Sequence, residues 1–451
     1  MSSSTAEQDM SKLKNIVIVG GTSPHPILLS PLVRCTDEIF LASSAGQQLA
    51  NYLTPNLPSS HRIILVDALD YAFWPIASLR AAVVPGWEKR ITVPLTQETV
   101  FPKNSNHRLV VANKVVELKE NSIVLEKVFE GSNEIPFFKC ILSTGAQQPS
   151  PMRPPAGSTK QAYHDTLIKT QGEIKQANKI VIIGGGAVGL EIAGEIRANY
   201  PDKSITIVHS SSHVLHPQAS APDPEGKAHS YSSPPTLPKL SITLEKLLAD
   251  SNIDLILNDK VDIPAEQISP EDWSGSFGLQ DGVKKVELAS GKVLEADYVF
   301  VSIGNRPNVG LVQQTDEKAL ISGMVGVDEY LRVISENSES SLTKNYYAIG
   351  DCCSTPGWKT YMGADYDAKG CSVNIINEIK GKALKKYVRP SLAAMMIPLG
   401  PEKGSGTLTF PVVGTWQVPG AMVRAAKGGN LLLDQLFYPR FKGEKKVTAG
   451  M

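Results

Sequence analysis

The chain has 451 residues, of which 42% are hydrophobic and 20% charged, a composition typical of a globular protein of two or three domains. Its 45 Lys and Arg residues balance 45 Asp and Glu residues, which disfavours general nucleic-acid binding. The sequence contains no run of about 20 apolar residues that would span a bilayer, and its polar N-terminus, with Ser2 in second place, has neither a secretory signal nor a myristoylation glycine. Five cysteines are too few for a disulfide scaffold, so we expect a reducing, cytoplasmic location.

Short β-branched runs that end in glycine or aspartate recur along the chain and predict buried parallel strands. The first run, 15–19, leads into Gly20 and Gly21. Six more follow: 61–66 before Asp67, 140–145 ending in Thr144 and Gly145, 179–183, 204–208, 298–303, and 346–349 before Gly350 and Asp351. Because helical segments alternate with these strands, we expect an α/β protein with two Rossmann-like dinucleotide-binding domains, followed by a C-terminal α+β region.

The stretch 22–42 interrupts the first dinucleotide-binding turn. Joined across it, Gly20 and Gly21 meet Ser44, Ala45 and Gly46 as a phosphate turn between a strand and a helix. We hypothesise that 22–42 is a retained intron or a gene-prediction error, since its length preserves the reading frame. Two alternatives stay open: a loop extruded at the surface with Gly46 still at the phosphates, or a chain that cannot hold the cofactor.

Residues 210–238 are rich in Ser, Pro and His and predict a mobile surface loop. His213, His216 and His229 all lie in this stretch. A metal site there is the less favoured interpretation, because no Cys or carboxylate cluster accompanies the histidines.

The motif at 184–189 is the strongest local signal. Gly184, Gly186 and Gly189 follow a strand and open a helix, the context in which such glycines permit a tight turn, approach of a pyrophosphate and close helix packing. The next strand ends at His209, where an NAD-specific site would carry a carboxylate for the ribose. This position therefore admits NADPH as well as NADH.

Taken together, the order of these motifs resembles the apoptosis-inducing-factor-like flavoproteins, in the branch that includes the ferroptosis-suppressor quinone reductase. The resemblance rests on 180–210, on 78–82 and on 347–352, and covers most of 14–443. It implies FAD in the first domain and NAD(P)H in the second. The implied boundaries are a disordered tail at 1–13, an FAD domain at 14–172 and 298–375, an NAD(P)H domain at 173–297, and a C-terminal region at 376–451.

The resemblance also implies roles for single residues. Arg80 and Val110 match positions that contact FAD, and Asp351 matches a ligand of the flavin's ribitol chain. Asp67 would bind the adenosine ribose. Two residues are candidates for a catalytic role, Glu191 near the nicotinamide and Lys359 near the flavin ring, where a cation stabilises negative charge. The alternatives are a carboxylate that favours a helix N-terminus and a solvent-facing lysine.

Electron transfer to a diffusible acceptor follows from the cysteines. No CxxC or CxxxxC pair occurs, and the adjacent Cys352 and Cys353 disfavour a disulfide. We expect an FAD-dependent NAD(P)H oxidoreductase without a redox-active disulfide, and the resemblance favours a quinone acceptor. The alternative is a redox-sensing or signalling flavoprotein with little turnover.

The C-terminal region, 376–451, alternates between apolar and basic stretches. We favour a sheet and helix packed on the FAD domain, with a solvated tail. The alternative is a peripheral contact with a membrane, a lipid droplet or the mitochondrial surface, which would suit a quinone substrate.

Overall fold

The computed structural model describes residues 13–20, 44–148, 150–154, 157–215, 236–264, 269–303 and 306–451. The hypotheses on 22–42 and on most of 210–238, including His216 and His229, fall outside these ranges, as does Gly21. Elements are numbered in chain order.

The first unit is built on a five-stranded parallel sheet in the order β19–β9–β1–β2–β5. Its strands are β1 (Lys14–Gly20), β2 (His61–Asp67), β5 (Arg108–Val110), β9 (Lys139–Ser143) and β19 (Tyr346–Ala348). β1 and β2 are buried almost throughout, as expected for parallel strands covered on both faces. Short antiparallel strands decorate this sheet: β3 (Tyr71–Phe73), β4 (Thr92–Pro94), β6 (Val115–Leu118), β7 (Ser122–Phe129), β8 (Ser132–Pro136), β10 (Ala146–Gln147), β16 (Arg306–Pro307), β17 (Leu320–Ile321) and β18 (Met324–Val325).

Helices connect the strands of the first unit. They are α1 (Ser44–Leu53), α2 (Ser78–Ala81), α3 (Trp87–Arg90), α4 (Gln97–Val100), α8 (Gly310–Thr315) and α9 (Tyr361–Ile379). Thr360 caps the N-terminus of α9: its side chain accepts a hydrogen bond from the Gly363 N–H. α1 and α9 pack side by side, so the N-terminal phosphate helix and the helix after Gly350–Asp351 share one face of the sheet.

The second unit is a five-stranded sheet in the order β13–β12–β11–β15–β14, with β14 antiparallel to β15. Its elements are α5 (Lys160–Gln176), β11 (Lys179–Ile183), α6 (Ala187–Asn199), β12 (Ser204–Val208), α7 (Pro238–Ala249), β13 (Asp254–Ile256), β14 (Gly278–Glu287) and β15 (Val293–Val301). All seven predicted strand runs contain strands, which confirms the predicted α/β class with two Rossmann-like domains.

The C-terminal region forms an antiparallel sheet of β20 (Ala393–Leu399), β21 (Lys403–Phe410) and β22 (Gly414–Val418), followed by α10 (Gly420–Val423). We expected it to pack on the first unit. Instead, the sheet packs on α6 and α7 of the second unit, so closely that a Cβ at Gly194 would overlap the backbone of Leu399. The residues from Leu431 to Val447 join the hydrophobic core of the first unit.

Candidate active site

The glycine loop at the end of β11 has the geometry of a pyrophosphate cradle. Gly184 has φ +110°, and a Cβ at Gly189 would overlap the Gly184 carbonyl oxygen, so both positions favour glycine. Gly186 precedes α6 and has open space where a Cβ would be. The Ser302 hydroxyl donates to the Gly184 carbonyl at 2.9 Å and ties the loop to β15. The N-terminus of α6 follows this loop, and its N–H groups would be the donors to a pyrophosphate; binding of the nucleotide there stays a prediction.

His209 holds this loop from the next strand. The Gly185 N–H donates to His209 Nδ1 at 3.1 Å, and the imidazole ring lies where a Gly185 side chain would be. Nδ1 is therefore unprotonated in this arrangement. The side chain that replaces the usual carboxylate also fixes the shape of the loop.

Glu191 lies in α6, one turn after its start, and pairs with a lysine of the C-terminal region. Lys427 Nζ is 3.4 Å from Glu191 Oε1, and it also donates to the Met396 carbonyl at 2.8 Å. Burial raises the pKa of the Glu191 carboxyl, and Lys427 only partly offsets this effect. Groups with perturbed pKa values cluster at functional sites, so the raised pKa of Glu191 suits its predicted position beside a nicotinamide.

In the first unit, α1 docks closely against the sheet even though residues 21–43 separate it from β1. A Cβ at Gly46 would lie 2.5 Å from Ser143 Oγ and 3.1 Å from Ile18 Cγ2. Ala45 is buried against Gly350 of the neighbouring strand end. The helix that would hold the FAD phosphates therefore has the close packing that this motif requires.

Asp67 and Val110 end two adjacent strands, β2 and β5, at the same edge of the sheet. Both are buried, and Asp67 accepts a hydrogen bond from the Leu69 N–H at 2.9 Å. Burial raises the pKa of the Asp67 carboxyl well above its ordinary value, opposed in part by Leu69 and Arg440. The two residues lie at the carboxyl ends of parallel strands, where ligands of this fold bind.

Thr144–Gly145 and Gly350–Asp351 follow β9 and β19 at that same edge. Gly145 has φ +73° with open space around it, and Gly350 has φ +79°. Thr144 donates to the Asn308 carbonyl at 2.6 Å. The structure thus brings the predicted first-unit residues of four strands to one edge; the cofactor contact of each one stays a prediction.

Arg153 is a buried cation that we missed in the sequence. Its Nη1 has no hydrogen-bond partner within the described chain. The Asp351 carboxylate favours its charged form. Burial lowers its pKa to about 10. Such a group fits an anionic ligand like the diphosphate of FAD. The available signal was an arginine in a proline-rich stretch shortly after Thr144–Gly145.

Lys359 is bound to the backbone of the turn after Asp351. Its Nζ donates to the carbonyls of Cys353 at 2.6 Å and Thr355 at 2.8 Å. Lys359 therefore does not extend into solvent. Its predicted position beside the flavin ring stays a prediction.

A buried ion pair, also missed in the sequence, holds the turn after Gly350–Asp351 in place. Asp367 on α9 is fully buried and accepts the Gly350 N–H at 3.1 Å. Arg389 donates to Asp367 at 2.5 Å and to Thr355 Oγ1 at 2.6 Å. One carboxylate therefore fixes Gly350, Thr355 and the first residues of the C-terminal region together.

Arg80 forms a buried ion pair with a residue of the second unit. Its guanidinium donates to Glu195 of α6 at 2.7 Å and to the Gly428 carbonyl at 2.7 Å, and both charged side chains are 4% exposed. Arg80 thus joins the first unit, the second unit and the C-terminal region. The flavin contact of Arg80 stays a prediction.

The cysteines of the described chain, Cys140, Cys352, Cys353 and Cys371, are buried and unpaired. Burial raises the pKa of Cys352 to about 12. Because the thiolate is the reactive species, thiol chemistry at this position is disfavoured.

A cavity of about 330 Å³ lies beside the turn after Asp351, between the start of α9 and the C-terminal sheet. Its lining combines large apolar side chains with threonine hydroxyls, namely Trp358, Met362, Leu392, Met395, Thr407 and Thr409. Its volume and lining suit a small, mostly apolar ligand with a few polar atoms.

The chain belongs to the pyridine nucleotide-disulphide oxidoreductase family, whose sequence profile matches residues 42–225 and 227–368. The match begins at the end of the predicted insertion. Family membership confirms the predicted class of enzyme, an oxidoreductase, and its cofactors, FAD and NAD(P)H. Gly46, the glycine loop and Arg153, whose Nη1 has no hydrogen-bond partner within the described chain, all fit these two ligands.

Among curated proteins, the chain is 28% identical over 372 residues to ferroptosis suppressor protein 1 of Mus musculus, covering 82% of this chain and 87% of the mouse protein. It is 26% identical to apoptosis-inducing factor homolog B of Dictyostelium discoideum over 360 residues, covering 77% and 84% of the two chains. These relatives confirm the predicted resemblance.

Among solved structures, the sulfide:quinone oxidoreductase of Aquifex aeolicus superposes with a TM-score of 0.62 at 17% identity, covering 91% of this chain and 88% of that one. Reduced CoADR-RHD of Bacillus anthracis gives a TM-score of 0.60 at 18% identity, covering 89% and 62%. At such identities these structures confirm the fold.

Proposed function

We propose that the protein is an FAD-dependent NAD(P)H:quinone oxidoreductase. In the balanced reaction, NAD(P)H, a proton and a quinone give NAD(P)⁺ and a hydroquinone. The chemistry that FAD supplies when bound is acceptance of hydride from the nicotinamide and delivery of electrons to a second acceptor.

The cavity beside α9 is the observation that carries this proposal. It adjoins the turn that holds Lys359 and is lined by aromatic, aliphatic and hydroxyl groups. A quinone ring is flat and apolar, with two carbonyl oxygens that accept hydrogen bonds from hydroxyls such as that of Thr409. The absence of a CxxC pair in the sequence supports transfer to such a diffusible acceptor.

The chain's own residues bind and orient the two ends of this path. The loop 184–189 and the N-terminus of α6 bind the pyrophosphate of NAD(P)H. Glu191, with its raised pKa, positions the nicotinamide end. On the other side, Asp367 and Arg389 hold the turn from which Lys359 presents positive charge to the reduced flavin.

We extend the proposal to a peripheral membrane contact, because long-chain quinones reside in lipid. Within the described chain, no helix has both the length and the apolar character needed to cross a bilayer. The proposed membrane contact is therefore one of the protein surface with the lipid headgroups.

An anaerobic spectrum of the purified protein tests the proposal directly. NADH or NADPH should bleach the flavin absorbance, and a soluble short-chain quinone should restore it over many turnovers. Thr409→Phe, which fills the cavity, should raise the KM for quinone about tenfold or more, with the rate of flavin bleaching unchanged. Thr166→Phe on the outer face of α5 is the matched control.

Bleaching by NAD(P)H without reoxidation by any quinone would refute the quinone function. That result would favour the redox-sensing or signalling alternative instead.

A further inference from the structure

The C-terminal strap, residues 431–447, runs across the first unit and is bonded to it near both ends. The indole N–H of Trp74 donates to the Leu431 carbonyl at 2.7 Å. Further along, the Gly443 N–H donates to the Thr99 carbonyl at 3.1 Å. Between these points, the apolar side chains of the strap belong to the hydrophobic core of the first unit. The strap is therefore an integral part of the unit in which we expect FAD.

Arg440 is a buried cation of this strap and is only 3% exposed. Its guanidinium lies among three aromatic rings. The Cζ atom is 4.7 Å from the ring centroid of Phe437, 5.2 Å from that of Phe441 and 5.9 Å from that of Trp74. Such rings stabilise a cation that has been removed from water. Burial lowers the pKa of Arg440 to about 10, so the guanidinium still carries its charge at neutral pH.

The strap brings this cation to the sheet edge at which β2 ends. Asn51 of α1 donates to the Arg440 carbonyl at 2.8 Å. α1 packs on β1 and β2, and Asp67 is the last residue of β2. Arg440 opposes the rise that burial causes in the pKa of the Asp67 carboxyl, so the two charges attract each other. A buried cation of the C-terminal region thus lies near the carboxylate predicted to bind the adenosine ribose.

A second buried polar side chain lies on the same side of α1. Gln47 is 3% exposed, and neither its amide nitrogen nor its amide oxygen has a hydrogen-bond partner within the described chain. Positions four apart share one face of a helix, so Gln47 lies on the face that carries the contact between Asn51 and Arg440. A buried amide without hydrogen bonds is unfavourable. The adenosine end of FAD, which offers both donors and acceptors, would supply the partners.

The chemistry of a ribose explains why a cation is useful beside Asp67. An ionised carboxylate accepts hydrogen bonds at both oxygens, whereas a protonated carboxyl replaces acceptor sites with a donor. Burial by itself disfavours the ionised form. A nearby buried cation favours it again, and Arg440 lies close enough to do so.

We propose that Arg440 is a positioning residue of the FAD site, which stabilises the charge of the Asp67 carboxylate for the ribose hydroxyls and couples FAD binding to docking of the C-terminal strap. Gln47 forms hydrogen bonds at the same end of the cofactor. The proposal concerns retention of FAD and does not depend on the quinone acceptor proposed above.

Titration of the FAD-free full-length protein, followed by flavin fluorescence, tests this role. The two probes are FAD and its analogue with a 2′-deoxyadenosine. Wild type should bind FAD about tenfold or more tightly than the analogue, and Arg440→Met should weaken FAD binding by about tenfold to a hundredfold and bind both probes equally. Lys442→Met, which removes an exposed cation of the same strap, is the matched control and should bind as wild type does.

Two further variants test the roles of the neighbours. Asp67→Asn should weaken FAD binding as Arg440→Met does, and the double variant should lose no more than about threefold beyond Asp67→Asn, because Arg440 acts through Asp67. Gln47→Met should weaken FAD binding by about tenfold, yet leave the FAD-free protein equally or more resistant to heat, because it removes a buried amide that has no partner in the described chain.

Hydrogen exchange of the wild type tests the coupling without any substitution. The N–H groups of Gly443 and Lys445 donate to the carbonyls of Thr99 and Glu98, so their exchange reports docking of the strap. FAD should slow this exchange by about tenfold or more. This measurement decides the matter even if Arg440→Met fails to fold.

Four results would overturn the proposal: unchanged FAD affinity in Arg440→Met, a preference for FAD over the deoxy analogue as large in Arg440→Met as in wild type, additive losses in the double variant, or strap exchange that FAD does not slow. If wild type binds FAD but reduces no quinone, the function proposed above fails, while the titrations still decide the role of Arg440.

Discussion

The buried pair Arg80–Glu195 makes a strong prediction about how the two units are held together. Arg80 Nε donates to Glu195 at 2.9 Å and Nη2 at 2.7 Å, while Nη1 donates to the Gly428 carbonyl. Glu195→Met removes the carboxylate that pairs with a guanidinium that is 4% exposed. Breaking one side of such a pair costs about 3–5 kcal/mol, because the remaining charge is left buried.

The reverse change, Arg80→Met, should cost about as much and in addition leaves the Gly428 carbonyl without this donor, a further loss of about 1–3 kcal/mol. The double variant removes both charges and should cost far less than the sum of the single changes. We expect a coupling free energy of at least about 2 kcal/mol from this cycle.

Urea unfolding of the apoprotein, followed by tryptophan fluorescence, measures these free energies. Trp87 lies 4.9 Å beneath the Arg80 guanidinium and reports on the site. The exposed pair Arg424–Glu402, 3.2 Å apart, is the control, and its removal should cost less than about 1 kcal/mol. A loss in Glu195→Met no larger than in this control, or a cycle without coupling, would refute the reasoning.

The same variants separate the two interpretations of Arg80. If Arg80 contacts FAD, as the resemblance implies, Arg80→Met should weaken FAD binding much more than Glu195→Met does. If Arg80 acts through the interface between the units, the two variants should weaken FAD binding equally.

Three further predictions concern the cofactor sites. In Gly46→Ala, the new Cβ would lie 2.5 Å from Ser143 Oγ, so stability should fall by about 1–3 kcal/mol with loss of FAD, as measured by thermal unfolding and flavin absorbance. Gly172→Ala, in a helix with open space, is the control and should be neutral or stabilising by up to about 1 kcal/mol. The raised pKa of Glu191 means that the folded state holds a proton more tightly than the unfolded state. Its contribution to stability is therefore present below the ordinary pKa of 4.5 and is lost as pH rises through the folded pKa, a dependence that Glu191→Gln should abolish in pH-resolved unfolding. His209→Asp should shift the ratio of kcat/KM values toward NADH by about tenfold or more, and an unchanged ratio would remove His209 from the specificity site.

Local features of the fold could be predicted from the sequence because their causes are local. Apolar β-branched runs that end in glycine determine buried parallel strands, and the loop at 184–189 follows from glycine positions alone. The clustering of Asp67, Gly145 and Asp351 at one sheet edge also follows, since the carboxyl ends of parallel strands meet there.

The ionic contacts could not be predicted, because their partners are far apart in sequence. Arg80 and Glu195 are separated by 115 positions, and Glu191 and Lys427 by 236. No periodicity or motif links such residues. The packing of α2 on α6 brings Arg80 to Glu195, and the segment after α10 brings Lys427 to Glu191. The packing of the C-terminal sheet on α6 explains why our expectation for this sheet was wrong: small residues such as Gly194 allow it to lie on the second unit.

Three cations connect the C-terminal region to the rest of the protein. Arg80 reaches its Gly428 carbonyl, Lys427 pairs with Glu191 of the nucleotide helix, and Arg389 pairs with Asp367 beneath the Gly350–Asp351 turn. Each contact involves a residue predicted to serve a cofactor, or one adjacent to such a residue. The C-terminal region therefore packs against both halves of the redox path and also provides one wall of the cavity. We therefore expect a change in this region to alter the proposed acceptor cavity and the predicted cofactor sites together, because short segments around Arg389 and Lys427 carry all three contacts.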